Sequence, residues 1–170
     1  NKENIYRIRN KVKKNFIRVE ADEVNYPLHI IHRFNVEHKI IEENASINNL
    51  PDIWNEEFHR LFKLKVKNDK DGCLQDIHWF GGDFGYFPTY SIGAFIAAQL
   101  MNQIKNEIPD LNHYLASGNF KIIIKWLNKN IHAKGSLYKI NDLLKSVTNE
   151  KLNLKYFENH IVKKYLKGNI

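Results

Sequence analysis

Apolar residues recur three and four positions apart along most of this chain, and its prolines stand near the starts of those runs. That spacing marks helices with one buried stripe, and proline at a helix start loses only a backbone donor that would be unpaired anyway. Ile5, Ile8 and Val12 keep it, with basic residues between them. A second helix is expected over about Ala21–Glu43, with apolar positions at Val24, Leu28, Ile31, Phe34 and Ile41; Pro27 inside it predicts a kink or a start there. Pro51 opens a third, carrying Ile53, Trp54, Glu57, Phe58, Leu61 and Phe62. Pro88 leads a fourth through about Ile104, whose Gly93, Ala94, Ala97 and Ala98 would allow close packing. Pro109 opens a further helix, Phe120–Asn130 is another, and Leu137–Tyr165 holds two short ones. The expected fold class is all-α, with residues 1–170 as one domain and no internal boundary.

Composition narrows the classes of function. Hydrophobic residues at 43% and charged residues at 26% can build a core, so a disordered chain is excluded. With Cys73 alone, no internal disulfide forms and no cysteine-based zinc cluster is available; a reducing, cytoplasmic setting is the expectation. A membrane span needs about 18–20 apolar residues, and the longest stretch, Ile92–Met101, is broken by Gly93 and Gln99. The formal charge of +7 raises nucleic acid as a partner. Arginine occurs only at positions 7, 9, 18, 33 and 60, however, and the rest is lysine in a background rich in Asn and Ile; this favours a solvated surface. The basic, helix-like start without methionine suggests a piece of something longer.

Several residue groups could carry chemistry. His29 and His32 share a helical face, with Glu23 or Glu37 in reach, but two histidines without a convincing third ligand favour packing over metal. His-Glu-x-x-His, the strong helical zinc signature, does not occur in the chain. Cys73, with His78 five residues on, lacks a visible thiolate-favouring group and reads as a buried structural cysteine. Gly81-Gly82-x-x-Gly85 lacks P-loop spacing and reads as a turn. Gln75, Asp76, His78, Trp79, Tyr86 and Tyr90 gather an imidazole, two phenols and hydrogen-bonding groups within a short irregular stretch, as binding sites do; a buried polar core is the competing reading. Arg18 offers a planar fork to a carboxylate, either an internal acid or a ligand's, and on the residues alone the internal salt bridge is favoured.

Two long motifs narrow this further. Ile17-Arg18-Val19-Glu20-Ala21-Asp22 matches I-R-x-x-A-D, and Gly72-Cys73-Leu74-Gln75-Asp76-Ile77-His78-Trp79 matches G-x-x-Q-D-x-H-W. In these motifs, in Phe84–Tyr90, and in the stretches Trp126–Gly135, Val147–Leu152 and Lys155–Phe157, the chain resembles the zinc metallocarboxypeptidases of the thermostable carboxypeptidase Taq type. It resembles only their C-terminal third. Lys14-Asn15 stands where Pro-Ser is commoner, and His32 where an apolar residue is usual.

The resemblance implies a helical segment of a larger fold with a substrate cleft, removing single amino acids from peptide C-termini. The implied cofactor is Zn2+, with ligands upstream of this segment and none in this chain. Arg18 would bind the substrate's terminal carboxylate, reversing the residue-only preference. Tyr90, or else Tyr86, would donate to the oxyanion, with His78 bonding substrate or supporting the site. Gln75 falls among the substrate-binding positions, although Gln75 and Asp76 are better suited to orienting the loop. The implied partners are a peptide with a free C-terminus and an upstream portion or companion chain. A homodimer stays open, and neither nucleic acid nor membrane is expected. The alternative is an orphan fragment or structural module without catalysis. The aromatics Trp79, Phe80, Phe84, Tyr86, Phe87 and Tyr90 are too many for the helices at hand to cover, so an exposed apolar patch is expected.

Overall fold

The computed structural model describes residues 1–166, and among these there are helices and turns but no strand. The helices are α1 Lys2–Arg9, α2 Tyr26–Ile41, α3 Leu50–Phe62, α4 Pro88–Glu107, α5 Leu111–Ala116, α6 Lys121–Asn130, α7 Ile140–Thr148 and α8 Lys155–Ile161. Pro27 and Pro51 lie in the first turns of α2 and α3, and Pro88 is the first residue of α4. Pro27 therefore starts a helix and kinks nothing. Residues 21–25 form a turn instead, because the Asp22 carboxylate accepts from the backbone N–H groups of Lys13, Val24 and Asn25 at 2.8, 3.0 and 2.9 Å. Burial works against ionisation of Asp22, yet those bonds hold its pKa below the ordinary value. No described helix is long and apolar enough to cross a membrane.

The chain divides into two compact units, Asn1–Ile92 and Gly93–Ile170, with the division inside α4. In the first unit, α2 and α3 pack around Val36, Trp54, Phe58, Phe62, Val66 and Cys73. Burial of each such large side chain is worth about 1.5–3 kcal/mol. The buried face of α3, Trp54, Glu57, Phe58 and Phe62, is the one its spacing predicts. The buried face of α2 differs: His29, Ile30, His32, Arg33 and Val36 point inward, while Ile31, Phe34 and Ile41 are exposed. Two stripes on α2 compete, and the one that finds charged and aromatic partners elsewhere in the chain is buried.

The second unit packs Leu100, Ile104, Leu111, Trp126 and Leu144. Gln99 is buried within it; its Nε2 donates to Thr148 Oγ1 at 2.8 Å and the Lys151 carbonyl at 3.1 Å, and its Oε1 accepts from Asn153 N at 3.0 Å. The close packing expected at Gly93 is not realised among the described residues, for a Cβ there would meet nothing within 4 Å. Of the six aromatics expected to lie bare, Phe80, Phe84 and Tyr86 are exposed and Phe87 is buried; Trp79 and Tyr90 are partly covered.

Candidate active site

The two motifs meet in the first unit. Gly72 begins the second one in a tight turn: a Cβ there would lie 3.1 Å from a Val66 methyl and 3.2 Å from the Asn68 carbonyl, so both would have to give way. That tight turn aims Gln75 and Asp76 at Arg18, which sits in a single helical turn, Arg18–Glu20. Asp76 Oδ1 accepts from Arg18 Nε at 2.9 Å and Nη2 at 2.8 Å. Asp76 Oδ2 accepts from Nε and Nη2 of Arg33 on α2, each at 2.5 Å. Gln75 Oε1 accepts from Arg18 N at 3.0 Å and Arg33 Nη2 at 2.8 Å, and its Nε2 donates to the carbonyls of Phe16, Asp71 and Gly72. Both ends of the Gln75 amide are occupied by the chain itself. Burial would raise the Asp76 carboxyl, but the two guanidiniums outweigh it and hold its pKa below the ordinary value. Burial likewise opposes charge on Arg18, and its bonds to Asp76 and Tyr26 raise its pKa on balance.

Around Arg18 stands a wall of aromatic groups. Arg18 Nη1 donates to Tyr26 Oη at 2.8 Å, and the guanidinium carbon lies 5.1 Å from the Tyr90 ring centre and 5.7 Å from that of Phe87. His78 Nε2 is 2.9 Å from Tyr90 Oη. Its Nδ1 is buried without a hydrogen-bond partner, with Asp76 Oδ1 3.9 Å away. Tyr86 stacks edge-on to Tyr90 and lies beside His78, with ring centres 5.4 and 5.8 Å apart. Burial raises the Tyr90 phenol pKa despite the nearby Arg18. Arg18, Gln75, His78, Tyr86 and Tyr90 are thus gathered within one aromatic-lined cluster, from Ile17 to the first turn of α4.

The sequence reading missed the roles of three participants, among them Glu37, which it placed beside His29 and His32. Tyr26 bonds Arg18, Arg33 shares Asp76, and Glu37 accepts from Trp79 Nε1 at 2.8 Å and from the backbone N–H of Gly85, pinning both ends of the glycine-rich loop to α2. Gly85 lies at φ +72°, where glycine is favoured. Arg33 carried a signal that could have found it: it is another rare arginine, one helical turn after His29.

The sequence profile of the carboxypeptidase Taq (M32) metallopeptidases matches residues 1–165, and the chain belongs to that family. Carboxypeptidase 1 of Bacillus subtilis is 41% identical over 156 residues, covering 92% of this chain and 31% of that protein. Thermostable carboxypeptidase 1 of Pyrococcus furiosus is 42% identical over 164 residues, covering 96% and 33%. A solved structure of the Pyrococcus furiosus carboxypeptidase has a TM-score of 0.92 at 41% identity, covering 98% of this chain and 33% of that one. The chain spans about a third of the length of the curated relatives it matches.

The family implies a metal. The described residues do not fit one: among them no three His, Cys, Asp or Glu side chains converge as ligands. His29 and His32 are packing residues. His29 lies 4.5 Å from Phe62 and His32 4.3 Å from Trp54 between ring centres, and His32 Nε2 is 3.0 Å from the Trp54 carbonyl. Burial lowers their pKa values to about 3 and about 4. Cys73 is buried in the core, where burial and then the charge of Asp69 raise its pKa and disfavour the thiolate.

Proposed function

We propose that this chain is the C-terminal portion of a cytoplasmic metallocarboxypeptidase that removes single amino acids from peptide C-termini. In this reading the chain supplies carboxylate recognition and oxyanion stabilisation. The observation that carries it is the juxtaposition of Arg18 with the His78–Tyr90 pair. Among the described residues, Asp76 and Tyr26 take three of the five N–H groups of Arg18, so one on each terminal nitrogen is left for a substrate carboxylate. A charge-assisted bond of this kind contributes roughly 1.5–3 kcal/mol, enough to prefer a chain end over an internal bond.

Tyr90 donates to the oxyanion, and Tyr86 is the second choice. The role requires the tautomer in which His78 Nε2–H donates to Tyr90 Oη, which frees the phenol proton for substrate. Zinc, held by an upstream portion or a companion chain, would supply the activated water; the steps assigned here belong to this chain's residues alone. The isolated 170 residues are therefore expected to be inactive.

One observation favours a second reading, a folded module without catalysis: Arg18 already has an internal carboxylate partner in Asp76. The deciding experiment is amino acid release by the full-length protein from a blocked dipeptide and from its C-terminal amide. Release from the free acid alone, abolished by chelator and restored by zinc, supports the peptidase reading. Absence of release from a metal-loaded, folded protein supports the module.

A further inference from the structure

Arg33 is fully buried, so it touches no substrate. Its bonds to Asp76 Oδ2 and Gln75 Oε1 are joined by one from Nη1 to the His29 carbonyl at 3.0 Å, and its guanidinium carbon lies 4.9 Å from the Trp54 ring centre. Burial lowers its pKa to about 10, which leaves it charged at neutral pH.

The charge arithmetic of the cluster gives this residue a consequence beyond packing. Arg18 and Asp76 alone would form a neutral pair, and the Asp76 carboxylate would repel a second carboxylate arriving at Arg18. Arg33 occupies the other Asp76 oxygen, so the cluster of two guanidiniums and one carboxylate keeps a positive charge in excess. Such an excess is costly in a low-dielectric interior, and an arriving anion relieves it. We propose that Arg33 is a positioning residue that sets the carboxylate preference of this site: it neutralises Asp76, so that Arg18 keeps its charge for the ligand. This rests on the reading of Arg18 given under Proposed function.

The test is equilibrium binding to the full-length protein of 3-phenylpropanoate and of its uncharged amide, neither of which has a C-terminal peptide bond to cleave. Wild type should prefer the acid by tenfold or more, roughly the worth of one charge-assisted contact. Arg33→Met, which makes the pair neutral, should remove most of that preference. Arg33→Lys, which offers a charge to Asp76 but loses the fork shared with Gln75 and the His29 carbonyl, should keep more of the preference than Arg33→Met. The decisive variant is Arg33→Met with Asp76→Asn, which removes both charges, leaves Arg18 uncancelled and should restore the preference. It also spares the fold an unpaired carboxylate if Arg33→Met alone does not fold. Unchanged preference in Arg33→Met, or a folded double variant that does not tell acid from amide, overturns the proposal. Amino acid release is scored separately. A protein that turns over peptides without an Arg33 effect refutes this inference alone, and one with the Arg33 effect but no release refutes the peptidase reading alone.

Discussion

The two compact units bury different things. Each core includes a tryptophan, Trp54 in the first and Trp126 in the second. The second unit buries Gln99 and Thr148 as its polar groups, neutral and mutually bonded, and the Trp126 indole donates to Glu107 at 2.6 Å. The first buries Arg18, Asn25, His29, His32, Arg33 and Glu57, and His29 Nε2, His32 Nδ1, Trp54 Nε1 and His78 Nδ1 find no hydrogen-bond partner among the described residues. Buried charge and orphaned nitrogens cost stability that apolar packing would not. That cost falls in the unit that holds both motifs, partly on the Arg18, Arg33 and Asp76 cluster and partly on the packing histidines His29 and His32.

The sharpest way to break this contrast is catalytic. In the full-length protein, Tyr90→Phe should lower kcat on the order of 10²–10³ with little change in KM, the signature of a donor used at the oxyanion. An effect on KM alone would remove Tyr90 from that role, and normal turnover with an impaired Tyr86→Phe would transfer it.

Acid should separate the units next. His29 and His32 have folded pKa values of about 3 and 4 against an ordinary 6.5, so below pH 6.5 the unfolded chain binds more protons than the folded one. Their stabilisation is fully present above pH 6.5 and is lost as pH falls towards 4 and then 3. At pH 5.5 the loss is on the order of 1 kcal/mol per histidine, up to tenfold in the folding constant. The Glu57 carboxyl, held at about 2 mainly by its bonds from Arg60, stays charged throughout this window. Residue-resolved hydrogen exchange should show α2 and α3 losing protection before α6 and α7, and simultaneous loss would erase the distinction.

A smaller effect is expected at Arg18. Arg18→Lys keeps the charge but loses the fork shared between Asp76, Tyr26 and the ligand, and kcat/KM for free-acid peptides should fall by roughly tenfold. Unchanged kinetics would return Arg18 to a purely internal salt bridge. In the second unit, Gln99→Leu should cost about 1–2 kcal/mol of stability by leaving Asn153 N–H and the Lys151 carbonyl unpaired. It should leave kcat unchanged, and a fall in kcat at a temperature where the variant is folded would make the second unit part of the catalytic machinery.

Much of this was legible in the residues. Prolines at helix starts marked where α3 and α4 begin and left Pro27 as a kink or the start of α2, and the two motifs with Phe84–Tyr90 carried the family and the grouping of Arg18, Gln75, His78, Tyr86 and Tyr90. Arg33 and Glu37 were not legible in these roles, because each acts through a partner far along the chain, and Tyr26 reaches back to Arg18 across a turn that the spacing assigned to helix. Arg33 lies 43 residues from Asp76, and Glu37 42 from Trp79. Local spacing holds no record of such pairings.

The sequence by itself determined the helical class, since three- and four-residue spacing and proline geometry are local properties of the backbone. Only the tertiary structure decided which face of α2 is inside. By hydropathy Ile31, Phe34 and Ile41 should be buried, yet His29, His32 and Arg33 are. A guanidinium enters a protein interior only where a carboxylate meets it, and Asp76 supplies one from a distant turn. Once that pair forms, the orientation of α2 follows, and Ile31 and Ile41 face outward.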